Sequence, residues 1–169
     1  MEAQPNAAHL FIAELEKLFD VQVITQNIDD LHERAGSKKV LHLHGEIMKA
    51  RSTVDASLLY PLTTSDIKEG DLCKKGSQLR PHIVWFGEMV PAMELANVLA
   101  QQAELFVVIG TSLNVYPAAG LLNFVFPEVP KWLVDPGEFN LDYMKSLKHI
   151  KASAVKGVEK LRNELNKHL

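Results

Sequence analysis

Two histidines stand two residues apart at the end of a short apolar stretch. His42 and His44 would project from one face of a strand, because successive side chains in a strand alternate between its faces. Histidine changes its charge near neutral pH, so His44, which is followed by Gly45, is a candidate general base. The pair could instead bind a metal ion together with His32, and the residue types alone leave both interpretations open.

Amides and a carboxylate follow another apolar stretch, at residues 21–25. Gln26, Asn27 and Asp29 offer hydrogen-bond donors and acceptors that suit ribose hydroxyls and a carboxamide. Alternatively, Asn27 or Asp29 caps a short helix that runs to Ala35. The cluster is therefore a candidate nucleotide pocket or a local helix cap.

A glycine and two hydroxyl residues follow the most apolar stretch, residues 105–109. Gly110 would let the backbone approach a ligand closely, and the hydroxyls of Thr111 and Ser112 could donate to phosphate or ribose oxygens. The alternative is a simple strand-to-helix turn that the serine caps.

Two aromatic residues precede a glycine and a glutamate. Trp85 and Phe86, before Gly87 and Glu88, could form the apolar rim of a ligand site, or they could be core residues before a turn. The single cysteine, Cys73, is interpreted as an incidental thiol, because nothing in the sequence supplies an obvious activating base.

These residues lie at the ends of apolar stretches that alternate with helical patterns. The predicted strands are residues 21–25, 40–43, 82–86, 105–109 and 131–134. The predicted helices are residues 6–19, with Asn6 as N-cap, 91–102, 117–126 and 155–167. Strands that are apolar throughout are typical of a parallel sheet covered on both faces, so we predict an α/β fold with a Rossmann-like, doubly wound parallel sheet. Ligands bind such sheets at the carboxyl ends of the strands.

Residues 51–80 interrupt this alternation with mixed polar residues around a brief apolar run. We predict that they form a small inserted subdomain. Residues 1–50 and 81–169 would then make up the main domain.

The composition is that of an ordinary globular protein, with 47% hydrophobic and 23% charged residues among 169. A net charge of −3 gives no electrostatic reason to expect nucleic acid or an anionic membrane as partner. No apolar run reaches the ~18–20 residues of a membrane span, and no N-terminal signal peptide is visible. One cysteine excludes internal disulfides, which predicts a reducing, cytoplasmic location.

Four motifs, in order along the chain, resemble those of the sirtuin family of NAD-dependent protein-lysine deacylases. They are TQNIDxLH followed by AG at residues 25–36, HGE at 44–46, RPxxVxFGE at 80–88 and GTSxxVYPAA at 110–119. Trp85 and the sequence PNAAH at residues 5–9 are similar to the bacterial deacylase branch of that family.

The resemblance implies NAD as cosubstrate and acyl-lysine proteins or peptides as substrates. His44 would be the general base that draws a proton from the nicotinamide-side ribose, with nicotinamide and 2′-O-acyl-ADP-ribose as products. Acetyl groups are expected first, with succinyl groups as a further candidate. The implied catalytic residues are His44, Asn27 and Asp29. The implied cofactor-binding residues are Gln26, Asn27, Ile28, Asp29, Gly110, Thr111, Ser112, Asp135 and Ala154. The implied substrate-binding residues are Val84, Trp85, Phe86, Gly87, Glu88 and Val115.

The chain departs from the family pattern in two places. The family's N-terminal glycine-rich segment does not occur in this sequence, so we expect an N-terminally incomplete sheet. The family also binds zinc through two cysteine pairs, whereas the corresponding positions here hold only Cys73. We therefore expect no metal at residues 51–80, which would be a metal-free remnant of the zinc subdomain stabilised by Leu58, Leu59, Tyr60 and Leu62.

Two alternative activities remain open at this stage. The chain could be a catalytically incomplete fragment that binds acyl-lysine peptides, or the same pocket could transfer ADP-ribose to a protein acceptor.

Overall fold

A computed structural model describes residues 2–64, 66–111, 118–139 and 146–169. The chain divides into two units, which are considered separately. The first contains Met1–Val23, Leu31–Val40 and Met93–Leu169, and the second contains Ile24–Asp30 and Leu41–Ala92. The α-helices are α1 (Ala7–Leu15), α2 (Leu31–Ala35), α3 (Met93–Gln101) and α4 (Ala154–Leu165), and 3₁₀ turns occur at Ala118–Phe124 and Asn166–His168. The strands are β1 (Val23–Thr25), β2 (Val40–His42), β3 (Gly45–Ser52), β4 (Leu59–Pro61), β5 (Leu79–Ile83), β6 (Phe106–Ile109), β7 (Lys131–Val134) and β8 (Leu147–Ile150).

Helix α1 begins where the sequence predicts and ends earlier. The side chain of Asn6 accepts hydrogen bonds from the backbone N–H groups of Ala8 and His9, which confirms it as the N-cap. The amides of Leu18 and Phe19 both donate to the carbonyl of Leu15, so the chain tightens into a turn there. Leu18 is exposed, and a longer helix would gain little apolar burial.

The core of the first unit surrounds β7. Strands β6, β7 and β8 pair in that order and run parallel, as predicted for an α/β sheet. Every residue of β7 is buried, and Trp132 and Val134 are fully enclosed. Phe11 of α1 and Leu161 of α4 belong to the same apolar cluster, which covers the sheet. The Nζ of Lys131 donates to three backbone carbonyls of residues 126–129, which satisfies its buried ammonium group.

The second unit contains an antiparallel sheet of order β4-β3-β5. The prediction that residues 82–86 form a strand of the parallel sheet is therefore wrong, since β5 ends at Ile83 and pairs antiparallel with β3. Gly45 faces Ile83 and Ser52 faces Leu79, with an irregularity in the register between Glu46 and Ala50. Strand β3 itself was not predicted, because its charged residues break any apolar run.

Strands β1 and β2 form a two-stranded sheet. The amide of Val23 donates to the carbonyl of Lys39, and the amide of Leu43 donates to the carbonyl of Thr25. The loops that follow these two strands therefore start side by side. Within the described part of the chain, no helix combines the length and hydropathy that crossing a bilayer requires.

Candidate active site

Two histidine side chains hold the loop that follows β1. The Nδ1 of His44 lies 2.9 Å from the carbonyl oxygen of Gln26, and the Nδ1 of His42 lies 3.1 Å from that of Asn27. A carbonyl oxygen can only accept a hydrogen bond, so Nδ1 carries the proton in both rings. In neutral His44 the Nε2 atom therefore carries the lone pair, which is the protonation state that a general base needs.

Backbone bonds hold the same loop on either side of these contacts. The carbonyl of Thr25 accepts from the amide of Leu43 at 2.9 Å, and that of Ile28 accepts from the amide of Ile47 at 2.8 Å. All the carbonyls from residue 25 to residue 28 thus accept bonds from residues 42–47. Because the backbone is fixed on this side, the side chains of residues 26–29 are presented on a rigid loop.

The backbone amide of Asn27 donates a hydrogen bond to Oγ1 of the buried Thr25 at 3.1 Å, which further fixes the loop. The side chain of Asn27 is exposed, while Asp29 and Ile28 are half-buried. The predicted helix α2 begins at Leu31, so residues 26–29 form a separate loop before it. The binding roles that the motif implies for Gln26, Asn27 and Asp29 stay predictions.

Gly45 sets the distance between His44 and the segment around Val84. Its φ of +83° lies in the left-handed region, and a Cβ built on it would stand 2.0 Å from the carbonyl oxygen of His82. Only glycine permits this approach. The amide of Val84 then donates to the carbonyl of His44 at 2.9 Å, which connects the base directly to the end of β5.

Residues 84–88 form a turn with exposed aromatic side chains. The amide of Glu88 donates to the carbonyl of Trp85 at 3.0 Å, and Gly87 has a φ of +87°. The ring of Phe86 is fully exposed, and Trp85 is 54% exposed. The interpretation of Trp85 and Phe86 as core residues is therefore wrong, and the apolar rim of a ligand site stays a prediction. Exposed aromatic residues next to polar groups are typical of binding surfaces.

Two arginines fix Glu88. Its carboxylate accepts from Arg80 at 2.8 Å, from Arg51 at 3.3 Å and from the amide of Trp85 at 3.1 Å. The hydrogen bond from Arg80 and that from the Trp85 amide hold the pKa of Glu88 below its usual range. Sequence reasoning missed the two arginines, although the separation of Arg80 and Glu88 within one motif was a usable signal.

The remaining predicted residues lie in the first unit, at the ends of its parallel strands. Gly110 follows β6 with a φ of +66°, and no atom lies within 4 Å of the position that a Cβ would take. Asp135 follows the neighbouring β7, and its Oδ1 accepts from the amide of Gly137 at 2.8 Å. Ala154 is the first residue of α4, after β8.

These three residues therefore follow neighbouring parallel strands, at the edge where α/β sheets bind ligands. Thr111 is half-buried beside Gly110. Ser112 and Val115 lie outside the described residues. Among the residues that the structure describes, no three His, Cys, Asp or Glu side chains are grouped as metal ligands.

The likeness to known proteins covers nearly the whole chain. A family model described as the Sir2 family matches residues 1–117. The chain is 48% identical over 164 residues to a protein of Helicobacter pylori named NAD-dependent protein deacylase, with 97% of this chain and 71% of that protein aligned. It is 46% identical over 170 residues to a protein of the same name from Bacteroides thetaiotaomicron, covering 98% of this chain and 73% of that protein.

Solved structures with the same fold include complexes. One described as a Sir2 homolog–NAD complex has a TM-score of 0.83 and 37% identity, over 99% of this chain and 67% of that one. Another, described as Sir2 bound to acetylated peptide, has a TM-score of 0.77 and 32% identity, over 98% of this chain and 72% of that one. The family model, the sequence relatives and the shared fold agree: this chain belongs to the Sir2 family.

Proposed function

We propose that this chain catalyses the NAD-dependent removal of acyl groups from protein lysines. An acyl-lysine, NAD and water would give lysine, nicotinamide and 2′-O-acyl-ADP-ribose. Acetyl-lysine is the first candidate substrate and succinyl-lysine the second. The observation that carries the proposal is the hydrogen bond from His44 Nδ1 to the Gln26 carbonyl, because it leaves Nε2 as a base beside a loop of amides and a carboxylate.

The groups present fit a dinucleotide. A left-handed glycine, Gly110, gives close access to the backbone at the end of β6, and the carboxylate of Asp135 follows the next strand. The loop at residues 26–29 separately offers amide and carboxylate groups that match a ribose and a carboxamide. NAD, when bound, supplies the ADP-ribose that accepts the acyl group. Asn27 and Asp29 would orient its ribose, and His44 would accept a ribose hydroxyl proton at Nε2.

The turn after β5 suits the other substrate. Trp85 and Phe86 present exposed rings that can contact the aliphatic part of an acyl-lysine, while the ion pairs of Glu88 keep the turn in place. A backbone hydrogen bond joins Val84 directly to His44, so a peptide held at this turn would lie close to the base. The backbone of the substrate peptide would pair with residues 84–88 through main-chain hydrogen bonds.

The names of similar proteins support the same conclusion. The H. pylori and B. thetaiotaomicron relatives are both called NAD-dependent protein deacylases. The similar structures include one with NAD and one with an acetylated peptide. A cytoplasmic location is also proposed, on the ground that a single cysteine suits a reducing compartment.

The test is to incubate the chain with an acetyl-lysine or a succinyl-lysine peptide and NAD, and to identify the products by mass spectrometry. The expected result is loss of the acyl group together with O-acyl-ADP-ribose, only when NAD is present. The matched controls are the unmodified peptide and NADH in place of NAD. ADP-ribose attached to a protein acceptor without deacylation would indicate a protein ADP-ribosyltransferase. Peptide binding that NAD does not affect, with no product, would mean a binding module and would overturn the proposal.

A further inference from the structure

The segment at residues 51–80 lies where the sirtuin resemblance implies a zinc site, and its residues do not fit that metal. Structural zinc is held by four ligands, commonly cysteine thiolates, and this chain has one cysteine. The structure instead brings together six side chains from two short segments, 52–57 and 72–78, and five of the six are not cysteine. We call this group the clasp; it consists of Ser52, Thr53, Asp55, Cys73, Lys75 and Ser77.

Thr53 joins the two segments through both its backbone and its side chain. Its Oγ1 donates to the carbonyl of Gln78 at 2.9 Å and also contacts the Oγ of Ser77 at 2.5 Å. Its amide donates to the same Gln78 carbonyl at 3.2 Å. The oxygen of Thr53 therefore lies between the two segments and bonds to two residues of the far one.

Ser52 and Cys73 form the buried part of the clasp, at 3% and 5% exposure. The Oγ of Ser52 accepts from the amides of Val54 and Asp55 at 3.2 and 3.3 Å, so its own proton is left to donate to the sulfur. That hydrogen bond from Ser52 lowers the pKa of the Cys73 thiol. The backbone groups of Cys73 are also hydrogen-bonded: its amide donates to the carbonyl of Ser77, and its carbonyl accepts from the amide of Gly76.

An ion pair closes the outer edge. The Nζ of Lys75 lies 2.8 Å from Asp55, whose other oxygen accepts from the amide and the hydroxyl of Ser57. The hydrogen bonds from Lys75 and Ser57 hold the pKa of Asp55 well below its usual range. The carboxylate of Asp55 and the ammonium group of Lys75 therefore both stay charged around neutral pH, and the ion pair is kept.

No large apolar side chain is fully buried in the described part of this segment, and Leu58 and Leu62 are half-buried. Of the residues expected to stabilise this segment, Leu59 is 45% exposed, and the nearby Val54 and Leu72 are more exposed still. Tyr60 contributes through its hydroxyl, which accepts from the amide of Lys74 at 2.9 Å. The residues buried in this segment are small or polar, such as Ser52 and Cys73.

The clasp lies at one end of the β3–β5 pair, and the turn with Trp85 and Phe86 follows the other end. Ser52 pairs with Leu79, and the next pair along is Arg51 with Arg80. Those two arginines bind Glu88, which fixes the turn. A change in the clasp that shifts β3 against β5 would therefore move both arginines.

We propose that the clasp performs, without metal, the structural task that the family pattern gives to zinc, and that it positions the turn at residues 84–88 through the arginine pair. The clasp residues act as positioning residues and do not touch the reacting atoms. The part that concerns the turn rests on the proposed deacylase function. The metal-free closure does not, and its readouts are independent of activity.

The first experiment measures the metal content of the purified full chain and its melting temperature with and without a strong zinc chelator. We expect zinc far below one atom per chain and an unchanged melting temperature. Stoichiometric zinc, or a melting temperature that falls on chelation, would overturn the metal-free closure whatever the enzyme does.

The second experiment compares Thr53→Val and Lys75→Met with Lys74→Met. Lys74 is the adjacent lysine, and its side chain makes no ion pair with any described residue, so it is a matched control. Thr53→Val should lower the melting temperature by ~2–4 °C, since one hydrogen-bonded hydroxyl is lost in a chain of this size. Lys75→Met should lower it less, because the ion pair is exposed, and Lys74→Met should not lower it.

In the deacylation assay, Thr53→Val should raise the KM for the acyl-lysine peptide several-fold while kcat and the KM for NAD stay near their original values. If Thr53 only stabilised the fold, its replacement would lower the fraction of active protein, and so the apparent kcat, without raising the KM for the peptide alone. Melting temperatures of both clasp variants equal to that of the control would contradict the proposal. An inactive original chain would overturn the proposed function and leave the metal and melting results to decide the clasp.

Discussion

Replacement of Gly45 by alanine tests how the base is held against β5. The new Cβ would lie 2.0 Å from the carbonyl oxygen of His82 and 2.9 Å from its carbonyl carbon. Real Cβ contacts essentially never fall below 3.0 Å, so the two strands must separate by about 1 Å at this pair. The left-handed backbone adds ~1–2 kcal/mol for a residue with a side chain, and forced overpacking adds ~1–3 kcal/mol.

The expected loss of folding free energy is therefore ~2–5 kcal/mol, which for a chain of this length corresponds to a fall in melting temperature of ~4–20 °C. Activity should fall further than stability alone explains. The Val84-to-His44 hydrogen bond lies next to the clash, and a displacement of ~1 Å at a reacting group can cost ~100-fold in rate.

The assay is thermal unfolding by circular dichroism, followed by deacylation measured well below the melting temperature. Gly70→Ala is the matched control, because Gly70 also has a left-handed φ, of +93°, but no atom lies within 4 Å of its Cβ position. That variant carries the backbone cost without the clash, so it should lose stability alone, and less of it. If Gly45→Ala melts and turns over like Gly70→Ala, the steric argument is refuted.

Two further predictions concern the first unit. Gly157→Ala should lower the melting temperature, because its Cβ would lie 2.2 Å from Cγ1 of Val134, and adding Val134→Ala should restore part of the loss; strictly additive effects would contradict the contact. Glu164→Gln should lower the melting temperature at neutral pH, because hydrogen bonds from two lysines lower the pKa of Glu164 from 4.5 to about 2. Its folded pKa is below the unfolded one, so this stability is complete above pH 4.5 and is lost as the pH falls toward about 2. The difference in melting temperature between the original chain and Glu164→Gln should shrink over that pH range. A difference at pH 2 as large as that at neutral pH would refute the ion-pair account.

Much of the fold could be predicted because local patterns and tertiary structure agree. Strand β6 is wholly apolar and β7 is apolar after Lys131, and glycine or aspartate follows each strand, which is the pattern of parallel strands in an α/β sheet. Asn6 caps α1 as its residue type predicts. Strand β8 was missed because two polar residues stand between Leu147 and Ile150, and nothing local shows that β7 provides its partner.

The antiparallel sheet could not be predicted for a different reason. Strand β3 is defined by long-range pairing with β5, and the glycine that permits their close approach looks in sequence like an ordinary strand end. The assignment of residues 82–86 to the parallel sheet followed from their apolar character. The chain turns at Val84 instead, where the aromatic residues become exposed.

For the candidate site, the sequence supplied the residue types and the structure supplies what holds them. The order of His44 after β2 and of residues 26–29 after β1 places both at the ends of neighbouring strands. The backbone carbonyls that select the tautomer of His44 have no sequence signature, because every residue carries one. For Glu88, the shared motif with Arg80 was a usable signal, whereas the partnership with Arg51 depends on the register of β3 with β5.

The most direct test of the central claim is the His44→Asn variant, assayed by mass spectrometry for NAD-dependent loss of acetyl from a lysine peptide. The amide of asparagine can still donate to the Gln26 carbonyl but has no basic nitrogen to take the place of Nε2. The account predicts that turnover falls by at least ~100-fold, while the melting temperature and peptide affinity stay close to those of the original chain. Turnover retained in His44→Asn would contradict the assignment of His44 as the base.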